Sequence, residues 1–428
     1  MKLEILYSYF LKSTGICTDT RKIKKNCIFV ALRGDNFNGN EFTKEALNQG
    51  ASWVIIDDIS QHKNSGKTIL CKDSLVLLQE LATYHRQQLN IPIIALTGSN
   101  GKTTTKEIIN TVLSKKFKTT ATLGNLNNHI GVPLTLLSMT KDTQMGIVEM
   151  GANHTKEIEA LCQIAKPDFG YITNFGKAHL EGFGSIEGVI KGKSELYTYL
   201  TEQKGCLFFN ADDPIQKRLL ENHTLKIGFS QTDAASLKIQ QLSADPYVKL
   251  KIKDTTMTSH LIGAYNFTNI CAAAGMGMHF NIPLKEIKEA IQAYIPNNNR
   301  SQLIKKGSNN IILDAYNANP TSMMAALHHF NTTKVASKMV ILGDMFELGE
   351  TTQEEHQHIV DYLSKTNITQ VYLIGEYFGK TILNAKNSRQ YKTFDAFKEV
   401  FAINTPKDTD ILIKASRGMA LERILKLL

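Results

Sequence analysis

The sequence predicts an α/β fold of three domains, in which strands alternate with helices along most of the chain. The chain has 428 residues, enough for about three domains at ~150 residues each. Short apolar runs recur between segments whose apolar residues have helical spacing, and this alternation is typical of parallel, doubly wound sheets. The stretches 90–92 and 296–299, which combine Asn with Pro, interrupt the pattern and predict the domain boundaries.

The composition excludes several other classes of protein. A charged fraction of 21% and a hydrophobic fraction of 42% are typical of a globular protein, not of a disordered or fibrous one. The net charge of +9 suits an anionic substrate. Because no run of about five like charges is present, we expect no nucleic-acid partner.

The cysteines and the hydropathy pattern predict a cytoplasmic protein without membrane insertion. No cysteine pair forms C-x-x-C, and none lies at zinc-finger spacing from a histidine, so reduced thiols are expected. The first 13 residues include Glu4 and lack the apolar core of a signal peptide. No stretch reaches the ~18 uninterrupted apolar residues of a membrane span. The six cysteines are Cys17, Cys27, Cys71, Cys162, Cys206 and Cys271.

Residues 1–88 predict a small first α/β domain. Apolar runs at 28–32 and 53–56, separated by Gly, Asn and Asp turns, predict short strands. The apolar residues between 75 and 82 have helical spacing and predict a helix before the first boundary.

Residues 89–297 predict a larger central domain with a mostly parallel, doubly wound sheet. Its strands alternate with helical segments, which is the pattern of consecutive strand–helix–strand units. Apolar–polar alternation at 236–239 and 248–252 predicts an antiparallel insertion. The predicted parallel strands are 93–96, 146–150 and 169–173.

Residues 298–428 predict a third, Rossmann-like domain. Polar loops follow three of its strands, beginning near Asp314, Gly343 and Lys414. Because parallel strands end at the same edge of a sheet, these loops are expected to share one ligand site. The predicted strands are 311–314, 340–343, 371–375 and 411–414.

The strongest functional signal is T-G-S-N-G-K-T-T-T at 97–105, which follows an apolar strand and begins a helix. Its glycines let backbone N–H groups surround phosphate oxygens, and the helix N-terminus adds partial positive charge. Lys102 is placed to reach the β- and γ-phosphates, and the Thr103 hydroxyl to bind Mg²⁺. Leu96 stands where the strict phosphate-loop pattern has its first glycine, so the loop is a shorter variant.

Other polar residues lie at predicted strand ends or in loops. Glu149 ends a strand beside the phosphate-loop strand, where a carboxylate can hold a metal. His179 lies in a Gly-rich loop at the sheet edge where ligands bind, and is a candidate metal ligand. The amides at 124–129 suit a sugar or a peptide. Taken alone, Glu149 is equally compatible with a solvent-facing position, a lone loop histidine is more often solvated, and the amides are also typical of turns. Spacing alone assigns no role to Lys191 and Lys193, for which a solvated helix face is the default.

Together these stretches resemble the Mur ligase family, the ATP-dependent amide-forming enzymes of peptidoglycan precursor synthesis. The resemblance runs from Cys17 to Arg417. N-N-H-I-G-V-P-L-T, E-M-G-A-N-H and A-H-L-E-G-F-G-S, with the phosphate loop, are similar to the family's central domain. Y-N-A-N-P, G-D-M-F-E-L-G and K-A-S-R-G-M resemble the branch whose incoming amine is D-alanyl-D-alanine.

The resemblance implies a first domain that binds the UDP end of a nucleotide sugar and a central domain that binds ATP and two Mg²⁺ ions. The third domain would close over ATP and bring in the amine. The implied substrates are UDP-N-acetylmuramoyl-tripeptide and D-alanyl-D-alanine, joined through an acyl phosphate. A monomer is expected.

The resemblance also implies roles for single residues. Lys102, Lys193 and His179 are implied to be catalytic, and the metal ligands are implied to be Thr103, Glu149, His179 and Lys193, the last in carbamylated form. Lys191 is the alternative to Lys193. The implied ATP contacts are Gly98, Asn100, Gly101, Lys102, Thr103, Thr104, Asn266, Asn269, Arg300, Asp314 and Asn317. The implied substrate contacts are Thr18, Asp19, Thr20, Arg21, Asn127, Asn128, Asn319, Lys414 and Ser416.

One departure from the family concerns Arg300. Asn299 precedes it where many members have glycine, which puts the backbone approach of this arginine in question. The stretch 29–34 also resembles part of the uridine site.

Two other functions stay open at the level of sequence. A phosphate-loop motor or switch would show the strict loop and a basic nucleic-acid face. A folylpolyglutamate-type ligase shares the phosphate loop and the metal site, but lacks a separate UDP-binding domain and the stretch 316–320. The sequence leaves open whether the third residue of the tripeptide is lysine or meso-diaminopimelate, and whether D-alanyl-D-lactate is accepted.

Overall fold

In the computed structural model, the described residues form three separate sheets and one two-stranded ribbon. This arrangement confirms the predicted α/β class. The structure describes residues 2–62, 66–234, 236–384, 387–403 and 405–428.

The first sheet has four parallel strands in the order β1-β2-β5-β6. Helix α3 begins at Ser74, where the Asp73 carboxylate caps two backbone N–H groups, and ends before Asn90. In chain order the elements are α1 (Leu3–Lys12), β1 (Ile16–Cys17), β2 (Ile28–Val30), β3 (Arg33–Gly34), β4 (Phe37–Asn38), α2 (Thr43–Asn48), β5 (Trp53–Ile56), β6 (Thr68–Leu70) and α3 (Ser74–Leu89).

Helix α3 lies at the junction between the first and central sheets. Thr83 Oγ1 donates to the Ile164 carbonyl over 3.2 Å, and Arg86 Nε donates to the Ala165 carbonyl over 3.2 Å. Both acceptors lie at the end of the helix Glu157–Ala165, which packs on the central sheet, so α3 attaches the first sheet to the central one.

The central sheet has nine strands in the order β15-β14-β13-β12-β11-β10-β7-β9-β8. The pairings from β8 to β13 are parallel, and the predicted antiparallel strands continue the same sheet at its other edge. The elements are β7 (Ile93–Thr97), α4 (Lys102–Leu113), β8 (Thr119–Ala121), α5 (Gly131–Leu137), β9 (Met145–Glu149), α6 (Glu157–Ala165), β10 (Phe169–Ile172), α7 (Leu180–Phe183), α8 (Ile186–Glu202), β11 (Cys206–Asn210), α9 (Pro214–Leu219), β12 (Lys226–Ser230), β13 (Leu237–Ser243), β14 (Tyr247–Ile252), β15 (Thr255–Ile262), α10 (Phe267–His279) and α11 (Leu284–Ala293).

Strand β7 occupies the point where the strand order reverses, between β10 and β9. Leu96 is paired with Glu149 on one side, and Thr97 with Ile172 on the other. Ligands bind at such switch points, outside the carboxyl ends of the strands.

The third sheet has six strands in the order β16-β17-β21-β18-β19-β20, and all but β16 are parallel. Strands β17, β21 and β18 are neighbours, so their polar loops meet at one edge as predicted. The elements are β16 (Gln302–Lys306), β17 (Asn309–Asp314), α12 (Pro320–Thr332), β18 (Lys338–Gly343), α13 (Thr352–Leu363), β19 (Gln370–Ile374), β20 (Ser388–Tyr391), α14 (Phe394–Ile403) and β21 (Asp410–Lys414).

The apolar cores are distributed unequally among the sheets. One cluster joins side chains of the first sheet and α3, such as Ile55 and Leu78, to central residues such as Val148 and Ile158. A second cluster covers the other face of the central sheet. Two further clusters lie on the two faces of the third sheet and contain third-sheet residues. The exact boundaries at 88/89 and 297/298 remain predictions.

All six cysteines lie within the described residues, and each is a free thiol. Within those residues, no helix is both long and apolar enough to cross a bilayer.

Candidate functional site

The phosphate loop between β7 and α4 depends on its two glycines. Gly98 has a φ of +138°, and a Cβ there would overlap Thr173 Oγ1. Gly101 has a φ of +80°, and a Cβ would lie 2.7 Å from Asn269 Oδ1. Lys102 curls back over the loop and donates to the Gly98 carbonyl over 2.7 Å. The surrounding protein lowers the pKa of Lys102 by desolvation, against the attraction of a nearby carboxylate.

Glu149 ends β9 beside the phosphate loop and is only 1% exposed. Its Oε1 accepts from Asn127 Nδ2 over 2.8 Å and from Thr103 Oγ1 over 3.3 Å. Its Oε2 is buried and has no hydrogen-bond partner among the described residues. A buried carboxylate oxygen without a partner is costly unless a cation binds it.

The donor set around Glu149 fits a hard divalent cation. Thr103 and Glu149 offer oxygen ligands of the kind that Mg²⁺ prefers. No three His, Cys, Asp or Glu side chains converge as a ready-made metal site in the described part of the chain. A metal here would therefore take its further ligands from other oxygen donors, such as substrate phosphates.

Lys193 lies on α8 behind the cavity wall and is 0% exposed. Its Nζ donates to the Ala152 carbonyl over 2.9 Å and lies 5.1 Å from the centroid of the Phe183 ring. Burial lowers the pKa of Lys193 well below that of an exposed lysine, and the positive charge of Lys102 acts in the same direction. Lys191, two residues earlier, is exposed.

His179 follows β10 and has a left-handed backbone, with a φ of +54°. Its Nδ1 lies 2.5 Å from Oε2 of Glu347, which is in the loop after β18 of the third sheet. That separation is one of a hydrogen bond, although the ring N–H has no aligned partner among the described residues. The contact with His179 lowers the pKa of Glu347. The sequence signal for Glu347 was G-D-M-F-E-L-G, but no role was predicted for this residue.

Two loops of the third sheet are joined by Asp314 and Lys414. Lys414 Nζ lies 2.6 Å from Asp314 Oδ2 and donates to the Asn317 carbonyl over 3.3 Å. Asp314 Oδ1 accepts from the backbone of Ser301 over 3.1 Å. The predicted pair thus forms a largely buried ion pair at the shared edge of β17 and β21.

Arg300 is held by stacking. Its guanidinium carbon lies 3.7 Å from the centroid of the Tyr316 ring. Its Nε is buried and, in the described residues, has no hydrogen-bond partner. The backbone N–H of Tyr316 donates to the Asn299 carbonyl over 3.2 Å. This hydrogen bond holds the backbone next to Arg300 against the loop after β17, which carries Tyr316. No role was predicted for Tyr316 from the sequence.

Asn266 and Asn269 support the phosphate loop from behind. Asn269 Nδ2 donates to Asn266 Oδ1 over 2.9 Å, and Asn269 Oδ1 accepts from Thr105 Oγ1 over 3.0 Å. Asn266 Nδ2 donates to the Ile262 carbonyl over 2.8 Å. Both amides line the cavity while they fix the position of α4.

These groups surround one cavity of about 750 Å³ between the central and third sheets. The unpredicted lining residues include Asn174, Tyr265, Ser301 and Tyr316. The predicted site residues that line the cavity are Asn100, Gly101, Lys102, Thr103, Thr104, Asn127, Asn128, Glu149, His179, Asn266, Asn269, Arg300, Asp314, Asn317, Asn319 and Lys414.

The remaining predicted residues lie elsewhere. Gly98 and Lys193 are not among the residues that line the cavity. Ser416 is buried; its hydroxyl accepts from the Phe346 backbone over 2.9 Å and donates to the Ala318 carbonyl over 3.3 Å. The four residues of the first sheet, which follow β1, are Thr18, Asp19, Thr20 and Arg21.

The first-sheet residues are held in a short local turn. Asp19 caps the turn at 20–22, and Arg21 Nε donates to its carboxylate over 2.8 Å. This hydrogen bond lowers the pKa of Asp19 to about 2. The Arg21 side chain is 86% exposed, so it is available to an anionic ligand.

Three family models match the chain in succession. Residues 12–86 match the "Mur ligase family, catalytic domain", residues 96–277 the "Mur ligase middle domain", and residues 299–418 the "Mur ligase, glutamate ligase domain".

Relatives of known name match over nearly the whole chain. A UDP-N-acetylmuramoyl-tripeptide–D-alanyl-D-alanine ligase of Bacillus subtilis is 34% identical, over 96% of this chain and 92% of the relative. The Escherichia coli protein of the same name is 31% identical, over 97% of this chain and 93% of its own.

Solved structures agree with these matches. MurF from Acinetobacter baumannii superposes with a TM-score of 0.85 at 28% identity, covering 96% of this chain and 92% of its own. MurF ligase from Thermotoga maritima in complex with ADP gives a TM-score of 0.85 at 26% identity, covering 98% and 97%.

Proposed function

The chain belongs to the Mur ligase family, and we propose that its cavity is where ATP drives amide formation between UDP-N-acetylmuramoyl-tripeptide and D-alanyl-D-alanine. The protein is an ATP-dependent ligase of peptidoglycan precursor synthesis, and its products are the UDP-linked pentapeptide, ADP and phosphate. The observation that carries this conclusion is that the phosphate loop, Glu149 and His179 face Asp314 and Lys414 across one cavity.

The chemistry begins at the free carboxylate of the tripeptide, which is a poor acylating agent. Its oxygen attacks the γ-phosphorus of ATP, the bond to the bridging oxygen breaks, and ADP leaves. The amine of D-alanyl-D-alanine then attacks the acyl carbon, and phosphate departs with the former carboxylate oxygen. Lys102 neutralises charge on the transferring phosphoryl group, and the backbone N–H groups of the loop hold the phosphates.

Thr103 and Glu149 would hold the Mg²⁺ that accompanies the nucleotide, since their oxygens lie together and Glu149 Oε2 has no partner among the described residues. When bound, magnesium neutralises charge on the phosphates. His179 and Lys193 would hold a second ion, with Lys193 in carbamylated form.

The carbamylation proposal is supported by the state of Lys193. Only an unprotonated amine attacks CO₂, and burial, which lowers the pKa of Lys193, favours that form. Lys191 is exposed and has no comparable environment, so we assign the modification to Lys193.

Substrate contacts follow the positions around the cavity. Asn127 and Asn128 are proposed to contact the nucleotide sugar, and Asn319 and Lys414 the dipeptide; all four line the cavity. Asn266, Asn269, Arg300, Asp314 and Asn317 serve the nucleotide. Because the Ser416 hydroxyl is bonded to two backbone groups, we propose that this residue positions the loops.

The first domain, residues 1–88, is proposed to bind UDP through Thr18, Asp19, Thr20 and Arg21. Its separate four-stranded sheet supports this role and argues against a folylpolyglutamate-type ligase. Residues 89–297 would bind ATP, and residues 298–428 the dipeptide. A monomer is proposed. The free thiols support a cytoplasmic location.

The function is tested by measuring phosphate release from ATP with Mg²⁺ and UDP-N-acetylmuramoyl-tripeptide, with and without D-alanyl-D-alanine. Release only with both substrates, and a pentapeptide product identified by mass, are expected. The assay is run with lysine and with meso-diaminopimelate as the third residue, and with D-alanyl-D-lactate in place of the dipeptide. Release that needs neither substrate would instead indicate a motor or switch.

A further inference from the structure

The His179–Glu347 contact joins two sheets at the reacting end of the cavity. His179 lies in a loop of the central sheet, and Glu347 in the loop after β18 of the third sheet. Both residues have left-handed backbones, with φ values of +54° and +62°. Such conformations are unfavourable for residues with a Cβ and persist where the surrounding structure imposes them. The two loops therefore present these side chains to each other at a conformational cost.

The backbone contacts hold the loops in register. The Glu181 N–H donates to the Glu347 carbonyl over 3.2 Å, within the turn that begins at His179. Two residues after Glu347, Gly349 also packs against Glu181, and a Cβ at Gly349 would lie 3.3 Å from Glu181 Cα. The carboxylate of Glu347 is thus delivered to Nδ1 by its own backbone contacts, independently of any metal.

A carboxylate at Nδ1 determines which nitrogen of the ring is free. A carboxylate this close to Nδ1 favours the tautomer with its proton on Nδ1, and that tautomer keeps the lone pair on Nε2, which is the form that binds a metal. Histidine ligands in proteins are commonly oriented by such a carboxylate, and its loss weakens metal binding about 10- to 100-fold. Glu347 has the chemistry and the position of this orienting group.

We propose that Glu347 is a positioning residue for His179, so that the second metal binds tightly only when the third domain is docked on the central domain. The inference rests on the proposed function, because it takes His179 as a ligand of that metal. Its consequence is that closure and assembly of the metal site are one event. An open enzyme would then not support phosphoryl transfer before the dipeptide is enclosed.

The structure supplies a matched control for docking alone. Lys177 Nζ lies 2.6 Å from Glu355 Oε1, a second ion pair between the same two sheets, and it does not involve His179. Glu355→Gln therefore weakens docking without changing the ring of His179. Glu347→Gln is nearly isosteric with the native side chain but removes the charge.

The test uses Mn²⁺ as the probe, titrated into the full-length protein with ADP and followed by the electron paramagnetic resonance signal of free Mn²⁺. The second site is identified as the one whose Mn²⁺ affinity His179→Ala lowers. We expect Glu347→Gln to weaken that site about 10- to 100-fold. Glu355→Gln loosens docking but leaves the carboxylate beside the His179 ring in place, so it should weaken the site by much less. In the His179→Ala background, Glu347→Gln should have no further effect, since the two residues act through one ring.

Three results would overturn the inference. The first is wild-type Mn²⁺ affinity in Glu347→Gln, and the second is equal weakening by Glu355→Gln, which would show that docking alone matters. The third is a Mn²⁺ affinity that is lower in the His179→Ala, Glu347→Gln double variant than in His179→Ala alone. If the wild type makes the pentapeptide but Glu347→Gln binds Mn²⁺ normally, only this inference fails. If the wild type makes no pentapeptide, the proposed function fails with it.

Discussion

Asn319, at the start of α12 in the third sheet, donates its side-chain amide to the side-chain oxygen of Asn100 in the phosphate loop over 2.8 Å. The same Asn319 caps its helix, because its Oδ1 accepts from the backbone of Ser322 over 2.9 Å. Asn100 is in turn fixed by its carbonyl, which accepts from Thr173 Oγ1 over 2.6 Å. The start of one helix is thereby coupled to the loop that receives the phosphates.

Asn319→Ala should therefore raise the KM for ATP about fivefold, because a neutral hydrogen bond contributes about 1 kcal/mol. Loss of the helix cap should also lower the free energy of unfolding by about 1 kcal/mol. Steady-state kinetics and urea denaturation measure the two effects. Ser322→Ala is the control, since it weakens the cap but retains the contact with Asn100. An equal rise in KM in both variants would contradict the coupling.

Lys102→Ala should abolish ligation and leave the first domain able to bind UDP. The phosphoryl group then lacks the ammonium that neutralises its developing charge. Ligation is followed by pentapeptide mass, and UDP binding by the rise in Tm that a ligand of the native state produces. The sole tryptophan, Trp53 in the first sheet, offers a fluorescence readout of the same binding. Substantial ligation by this variant would refute the assigned site.

Lys193→Ala should lose ligation and recover part of it with a short carboxylic acid that replaces the carbamate. The wild type should lose activity in CO₂-depleted buffer and regain it with bicarbonate. Lys191→Ala is the matched control, because that lysine is exposed on the same helix, and it should behave as the wild type does. Mass spectrometry under native conditions would detect the added CO₂. An active, unmodified Lys193 would exclude the proposal.

The free energy of unfolding should depend on pH through His85, which lies on α3 at the junction between the first and central sheets. Its Nε2 lies 2.9 Å from the Met139 carbonyl, and its Nδ1 lies 3.1 Å from the Tyr7 hydroxyl. Burial lowers the pKa of His85 in the folded state, against the hydrogen bond to Met139. The unfolded state therefore binds the proton more tightly, and the stabilisation is present above the unfolded pKa of about 6.5.

As the pH falls below about 6.5, this stabilisation is lost over the window down to the folded pKa. The free energy of unfolding should therefore fall more steeply from about pH 7 to about pH 5 in the wild type than in His85→Gln. Denaturation at a series of pH values provides the comparison. Parallel slopes in the two proteins would exclude His85 as the cause.

The sequence predicted the parts of the site that depend on neighbouring residues. The phosphate loop at 97–105 is recognisable because a strand, two glycines and a helix start follow one another directly. Glu149 was predictable from its place at a strand end beside that loop. The shared edge of β17, β18 and β21 followed from the alternation of strands and helices.

The contacts between the sheets were not predictable in the same way. Glu347 meets His179, and Arg300 stacks on Tyr316, only because the chain brings distant loops together. No local periodicity or motif encodes those distances. For the same reason, the contact of Asn269 with the phosphate loop at Gly101 was missed, since the sequence does not show that this asparagine packs behind the loop.

The division of apolar contacts has a consequence for the working cycle. The first sheet and α3 share one core with the central sheet, whereas the third sheet has its own core on each face. The described contacts across the cleft include ion pairs and hydrogen bonds, such as that of Lys177 with Glu355, which water can replace. Each turnover must admit and release nucleotide through that cleft. The interface between the first and central sheets is thus apolar and stays assembled, whereas polar contacts across the cleft allow the third sheet to separate when nucleotide enters or leaves.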